Sequence, residues 1–232
     1  MLSVLQNLED ARQEFVSNVS HELKTPITSV KVLAESLIGQ ENVPVELYQE
    51  FMVDINEELE RMNKIINDLL TLVKMDKNAS EVNISEVNIN EFLEAILKQL
   101  QPIADKRNIE MIFESVRSVT AQVDEVKLAM AFRNLIENAF RFSDGQKVIV
   151  KIERSGNCCR FGVADSGRGM TQEEIRRAAE PFYKADKSRS AAGYGIGLSI
   201  CKSICTLFKT ELKFESELGR GTCVSFDLEV AE

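Results

Sequence analysis

The sequence predicts an α+β chain made of two unlike parts: an N-terminal two-helix hairpin, then an α/β sandwich domain. Three observations carry that expectation. From Leu2 to about Met75, apolar residues recur every three or four positions. From Val87 onward, short strand-like runs alternate with helical runs that open on capping residues. Between them lies the polar stretch KNASEVNISE, at 77–86. The expected divisions are therefore a hairpin at 1–76, a linker or hinge at 77–86, and the α/β domain at 87–232. No internal repeat is visible.

The first helix is carried by Leu8, Ala11, Phe15, Val19, Leu23, Ile27, Val30, Ala34 and Leu37. Gly39 to Pro44 interrupts the pattern. A second stripe follows through Leu47, Phe51, Ile55, Leu59, Met62, Ile66, Leu69 and Val73. Both stripes are long and thin, and one hairpin cannot enclose such a face by itself. Pairing with a second copy gives a dimeric four-helix bundle. A long intramolecular coiled-coil pair is the alternative.

In the second part, Val87–Ile89 reads as a short strand, and Asn90 as the cap of a helix to about Lys106. Ile109–Glu114 and Val119–Val123 read as strands. Asp124 caps a helix through Phe140. Val148–Arg154 and Cys159–Asp165 form a hairpin around Ser155-Gly156-Asn157. Residues 180–193 read as a flexible stretch, followed by a helix from about Gly195 to Phe208 and strands at 211–217 and 222–230. This order predicts a sheet with helices on one face.

Composition narrows the function classes. The net charge is −9, which argues against nucleic acid as the main partner, since phosphate neutralisation needs excess Lys and Arg. The five cysteines form no C-x-x-C pair, and the chain has one histidine, so a Cys/His zinc site is not expected. The cysteines read as reduced, mostly buried thiols of a cytoplasmic protein. No run approaches the roughly 20 apolar residues that span a bilayer, and no secretory signal pattern opens the chain. No membrane contact is expected for this chain, which can still be the inner part of a longer protein.

The one histidine sits in Val19-Ser20-His21-Glu22-Leu23-Lys24-Thr25-Pro26. At 100° per residue, His21 lies about 190° from the centre of the first stripe and faces solvent. Thr25 is one turn on, within about 40° of the same face. Glu22 is adjacent, and a carboxylate beside an imidazole can orient it and take its proton. A metal reading is weak, because H-E-x-x-T lacks the second histidine of H-E-x-x-H. Pro26 removes one helical hydrogen bond and allows a bend there. A helix end at Pro26 is the alternative, although the stripe continues through it.

Three signals of a phosphate site follow in order. Asn134 and Asn138 lie one turn apart on a predicted helix. Asn138 offers a neutral oxygen to a hard cation such as Mg²⁺, and Arg141 on the same face can pair with a phosphate. Asp165-Ser166-Gly167-Arg168-Gly169 follows a strand, where a carboxylate can accept from an exocyclic amine such as adenine's; ordinary turns also look like this. Gly193-Tyr194-Gly195-Ile196-Gly197-Leu198 precedes a helix and presents backbone N–H groups to an anion. It is neither a P-loop nor a dinucleotide fingerprint. Between the last two clusters, Pro181 to Arg189 reads as a lid whose cations, Lys184 and Lys187 among them, reach a nucleotide's phosphates. A plain surface loop is the alternative.

The set SHELKTP, NLIENAFRFS, DSGRGM, PFYKADKSR, GYGIGLSI and GRGTCVSF resembles the catalytic core of bacterial sensor histidine kinases of two-component systems, over essentially the whole chain. The resemblance implies a dimerisation and phosphotransfer hairpin, then an ATP-binding domain like that of DNA gyrase and heat-shock chaperones. It implies ATP and Mg²⁺ as cofactors, a homodimer, and a response-regulator receiver domain as partner. By motif, His21 is similar to the phospho-accepting histidine and Glu22 to the general base. Thr25 resembles the residue that positions water when the kinase dephosphorylates its regulator. Asn138 resembles the Mg²⁺ ligand, with Asn134, Arg141 and Phe142 in the same box. Arg141 stands where lysine is frequent and Phe142 where tyrosine is frequent. Asp165 resembles the adenine-reading carboxylate, with Gly167 and Gly169 its turn. Gly193, Gly195, Ile196, Gly197 and Leu198 resemble the phosphate-side loop, Tyr183, Lys184 and Lys187 the lid, and Thr222 a threonine near the adenine. The implied activity is autophosphorylation on His21, transfer to a regulator aspartate, and phosphatase activity toward that regulator. A non-catalytic ATP-binding scaffold and an ATP-driven clamp are the competing readings.

Overall fold

The computed structural model describes residues 2–39, 43–77, 82–115, 117–143, 146–185 and 193–230. The chain divides into two compact units, residues 1–71 and 72–232.

The first unit is built on two long helices, α1 (Leu2–Ile38) and α2 (Val45–Lys77). α1 runs through Pro26 without a break. Proline has no N–H to give the carbonyl one turn back, and hydroxyls nearby bond to other carbonyls of the same helix. Ser20 donates to the Val16 carbonyl at 2.9 Å and Thr28 to that of Lys24 at 2.8 Å. Pro26 itself is buried, while Val16, Ile27, Val32, Leu59, Ile66, Leu70 and Val73 are exposed. Four of those, Ile27, Leu59, Ile66 and Val73, belong to the apolar stripes.

The second unit follows as β1 (Ser85–Asn88), α3 (Ile89–Lys106), β2 (Glu110–Ser115), β3 (Thr120–Val123), α4 (Glu125–Phe142), β4 (Lys147–Ser155), β5 (Cys158–Asp165), α5 (Gln172–Arg177), α6 (Gly197–Leu207), β6 (Lys213–Glu217) and β7 (Gly221–Glu229). β1 and β3 form a small antiparallel pair. The main sheet has five strands in the order β2-β4-β5-β7-β6, parallel between β2 and β4 and antiparallel elsewhere. Alternation along the strands gives it two unlike faces. Val148, Val150 and Ile152 of β4 are buried with Phe161 and Val163 of β5 and Val224, Phe226 and Leu228 of β7. The other face carries Lys151, Glu153, Arg160, Lys213 and Asp227, with Arg160 and Lys213 both on the Asp227 carboxylate.

α4 packs over the buried face through Leu128, Phe132, Leu135, Ile136 and Ala139. Phe132 stacks on Phe161 with ring centroids 4.1 Å apart, and Phe226 completes the cluster 5.4 Å from Phe161. α6 lies against α4, where the Cys201 thiol meets the Ala131 carbonyl at 3.6 Å. All five cysteines are free, and burial pushes the Cys205 thiol up to about 12 and the Cys159 thiol up to about 11. Such thiols are packing groups rather than nucleophiles.

The helix starts match the sequence in one case and depart from it in another. Asp124 caps α4, accepting from the Lys127 N–H at 3.0 Å. It also accepts from the Asn83 N–H at 3.0 Å, tying the segment before β1 to the start of α4. For α3 the cap is Asn88, not Asn90: its side chain accepts from the N–H groups of Asn90 and Glu91. The Asn90 side chain instead accepts from the Val119 N–H at 2.9 Å, joining α3 to the lead into β3. α5 was not expected. Its Thr171/Glu174 capping box makes both reciprocal bonds, and the T-x-x-E spacing of that box is present in the sequence.

Candidate functional site

α4 supplies one wall. Its sheet-facing residues are buried, whereas Asn134, Glu137, Asn138, Arg141 and Phe142 are only half-buried, at helical spacing on its other side. Three glycines from two separate loops approach this wall. A Cβ on Gly167 would collide with the Phe142 carbonyl, and one on Gly193 with the Arg141 guanidinium. One on Gly197 would stand 3.2 Å from Asn134 Oδ1. The absence of side chains lets the DSGRG turn and the GYGIG loop close on the same helix.

The DSGRG turn is fixed from beneath. The Asp165 carboxylate accepts from the Gly167 N–H at 2.9 Å and also from the Thr222 N–H. Burial pushes that carboxyl above the ordinary range, and the two backbone bonds only partly oppose it. Thr222 stands directly opposite Asp165 across β5 and β7, so the two side chains share a sheet face. Gly169, at φ +69°, lies against the Glu217 carbonyl, and the Gly219 N–H donates to the Arg168 carbonyl at 2.7 Å.

The GYGIG loop is anchored at its far end. The Phe182 N–H donates to the Gly195 carbonyl at 2.9 Å, and Gly195 takes a φ of +72° that only glycine adopts freely. Ile196 is buried and precedes α6 without a side-chain cap hydrogen bond of its own. Gly197 and Leu198, half-buried, open that helix. Tyr183 is half-buried beneath the Arg177 guanidinium, 4.5 Å from the ring centre, and Arg177 also pairs with Glu180 at 2.9 Å. Lys184 is half-buried. Lys187 lies outside the described residues.

The cations and donors suit a polyphosphate. Arg141 is held below its usual range chiefly by burial, with the nearby Arg107 charge acting the same way and Glu137 opposing. An anion would relieve that cost. Among the described residues, no group of three or more His, Cys, Asp or Glu is placed to hold a metal. Asn138 and Glu137 offer too few ligands for an all-protein site, and the donor set suits Mg²⁺ carried mainly by phosphates and water.

The second cluster of residues named from the sequence lies on α1. His21 and Thr25 are exposed and Glu22 is half-buried, all within the unbroken helix. The Thr25 hydroxyl donates to the His21 carbonyl at 3.3 Å.

Residues 11–78 match the His Kinase A (phospho-acceptor) domain, and residues 123–232 match the Histidine kinase-, DNA gyrase B-, and HSP90-like ATPase family. The chain belongs to the sensor histidine kinases of two-component systems. As a histidine kinase core, it is 32% identical over 229 residues to the sensor protein kinase WalK of Staphylococcus epidermidis, covering 96% of this chain and 37% of that protein. It is 33% identical to a WalK of Staphylococcus aureus, of which it spans 55%. The chain thus spans well under two thirds of these relatives. Its fold matches that of the Acinetobacter baumannii histidine kinase AdeS, with a TM-score of 0.73 at 19% identity, covering 91% of this chain and 98% of that one. It also matches the histidine kinase ThkA in complex with the response regulator protein TrrA, with a TM-score of 0.74 at 21% identity, covering 97% of this chain and 64% of that one. No helix among the described residues is long and apolar enough to cross a membrane.

The sequence missed Arg177 and Ser216. The arginine lies in a helix that was not anticipated. Ser216 sits in the alternating run KFESE, where nothing marks it as more than a strand residue.

Proposed function

We propose that this histidine kinase core binds Mg·ATP between α4 and the two glycine loops and transfers the γ-phosphoryl group to His21. An imidazole nitrogen attacks the γ-phosphorus in line, the bond to the bridging oxygen of the β-phosphate breaks, and ADP leaves. Glu22 takes the ring proton. Asp165 and Thr222 read the adenine, Asn138 holds Mg²⁺, and Asn134, Arg141, Gly193, Gly195 and Gly197 receive the phosphates. Tyr183 and Lys184 border them. Catalysis then rests on positioning and charge stabilisation rather than on covalent chemistry at the nucleotide. The phosphohistidine passes its phosphoryl group to a receiver-domain aspartate, and Thr25 serves the reverse task of regulator dephosphorylation. The fold likeness to a kinase held with a response regulator supports that partner. The exposed apolar residues of α1 and α2 support a homodimer through the hairpin, with the join between the two units as hinge and the second unit as the catalytic domain.

The observation that carries this reading is the meeting of Gly167, Gly193 and Gly197 with the Asn134–Phe142 face of α4, in a chain whose single histidine is exposed. Incubation with γ-labelled ATP and Mg²⁺ tests it. Acid-labile, alkali-stable label that disappears in His21→Gln supports the kinase. Bound nucleotide without label supports a scaffold, and free phosphate without a phosphoprotein supports a clamp.

A further inference from the structure

Ser216 of β6 joins three parts of the base end of the site through one hydroxyl. It accepts from the Met170 N–H at 2.8 Å, donates to the Gly221 carbonyl at 2.9 Å, and stands 2.8 Å from Thr222 Oγ1. Met170 closes the DSGRGM turn, and Gly221 and Thr222 open β7. Across the sheet, Asp165, Thr222 and Ser216 form one directly paired row on β5, β7 and β6.

A hydroxyl has one hydrogen and two lone pairs. The Met170 N–H can only donate, and the Gly221 carbonyl can only accept. These two bonds use the Ser216 hydrogen and one lone pair. The remaining lone pair faces Thr222 Oγ1, so Thr222 must be the donor in that contact. Its hydrogen is then turned toward β6, and its own lone pairs are left for the site. The Asp165 carboxylate beside it, already accepting from Gly167 and Thr222 N–H groups, also has only acceptors to offer when ionised.

We propose that Ser216 is a positioning residue for base selection: by fixing the hydroxyl of Thr222 as an acceptor, it makes the base end favour a 6-amino purine over a 6-oxo purine. This rests on the reading of Asp165 and Thr222 as the base-binding pair, and it adds what sets their polarity. A 6-oxo purine meets two acceptors with its own carbonyl, leaving lone pairs facing lone pairs. Without Ser216, the Thr222 hydroxyl can rotate and donate to that carbonyl.

The test compares binding of ATP and ITP to the intact chain by titration calorimetry, for wild type, Ser216→Ala and Ser216→Thr, with Asp165→Asn as a control. Wild type is expected to prefer ATP. In Ser216→Ala the ATP-over-ITP preference falls about tenfold, mostly through improved ITP binding relative to ATP, and Ser216→Thr restores it. Thermal unfolding of each variant reports folding separately, since a purely structural serine would shift the melting temperature and leave the base ratio alone. An unchanged ratio in Ser216→Ala, with a clear wild-type preference that Asp165→Asn abolishes, overturns the role of Ser216 alone. A wild type that does not distinguish ATP from ITP overturns the base-binding reading beneath it.

Discussion

Asp165 and Thr222 are directly opposed across β5 and β7, and the Thr222 N–H donates to the Asp165 carboxylate. One residue thus holds the other in place through its backbone while sharing its sheet face. The arrangement keeps a half-buried carboxyl aimed, with burial outweighing its two backbone bonds, which is costly for the ionised group in the free protein.

Asp165→Asn is expected to separate those two effects. The amide replaces an acceptor with a donor group, and ATP affinity falls at least about tenfold. Stability should hold or rise. The folded-state pKa of Asp165 is raised by burial, so the folded chain binds this proton more tightly than the unfolded chain does. Its stability contribution is present below the unfolded value and is lost as pH rises through the folded one. At neutral pH the ionised group is therefore a net cost, which the amide removes. Calorimetric binding and thermal melts on the same sample check both halves, and a variant that loses binding only because it unfolds counts against the assignment.

Gly167 and Gly219 make a second, internally controlled comparison. A Cβ at Gly167 runs into the Phe142 backbone carbonyl, where neither the turn nor α4 can yield cheaply, whereas nothing lies within 4 Å of a Cβ at Gly219. Gly167→Ala is expected to destabilise by about 3 kcal/mol from overpacking and to open the turn from α4. Gly219→Ala, at φ +81°, should cost only the roughly 1 kcal/mol of left-handed backbone. Denaturant melts of the two single variants give the difference. Equal losses would mean that the close approach of the turn to α4 is not what the glycine serves.

Much of this was legible in advance, and the reasons differ by element. Asp124 could be read as a cap because a short acceptor preceded an apolar helical run. The glycine clusters could be read as tight turns, but their meeting on one face of α4 is a tertiary fact that no local pattern carries. Asn88 lost out to Asn90 because two asparagines two residues apart satisfy the same local rule, and only the tertiary bond from Val119 to Asn90 decides between them. The parallel pairing of β2 with β4 depends on a crossover through β3 and α4 that no local pattern encodes. Ser216 was invisible because its three hydrogen-bond partners are distant in sequence or across a turn.

Asp124 offers a test of how the linker side meets the nucleotide side. Its side chain caps α4 and also takes the Asn83 N–H, and Lys127 pairs with it at 2.8 Å. Burial alone would raise this carboxyl, but the bonds from Lys127 and Asn83 outweigh it and hold the group below its ordinary range. A depressed folded pKa gives stability that is present above the unfolded value and lost as pH falls through the folded one. Asp124→Ala should therefore cost about 1–2 kcal/mol near neutrality, the usual worth of a helix cap, and the gap to wild type should narrow in acid. Melts from pH 7 down to pH 3 check this; a gap that stays constant or widens in acid would falsify the assignment of the charge.

The role proposed for Thr25 separates autophosphorylation from regulator dephosphorylation. Its hydroxyl makes only a long 3.3 Å bond to the His21 carbonyl, on the exposed side of an unbroken helix. Such a bond contributes little to helix stability, so Thr25→Ala should fold like wild type, within about 0.5 kcal/mol. Attack of the imidazole on ATP needs nothing from this hydroxyl, and autophosphorylation should persist within a few-fold. On the proposed role of Thr25 in orienting a water for regulator dephosphorylation, that activity should drop by about a hundredfold, the scale of a lost positioning contact. The measurement is a paired assay of label uptake from ATP and label loss from the phosphorylated regulator. Parallel decline of the two would show that Thr25 supports the geometry of His21 itself, and the division of labour along this turn of α1 would have to be abandoned.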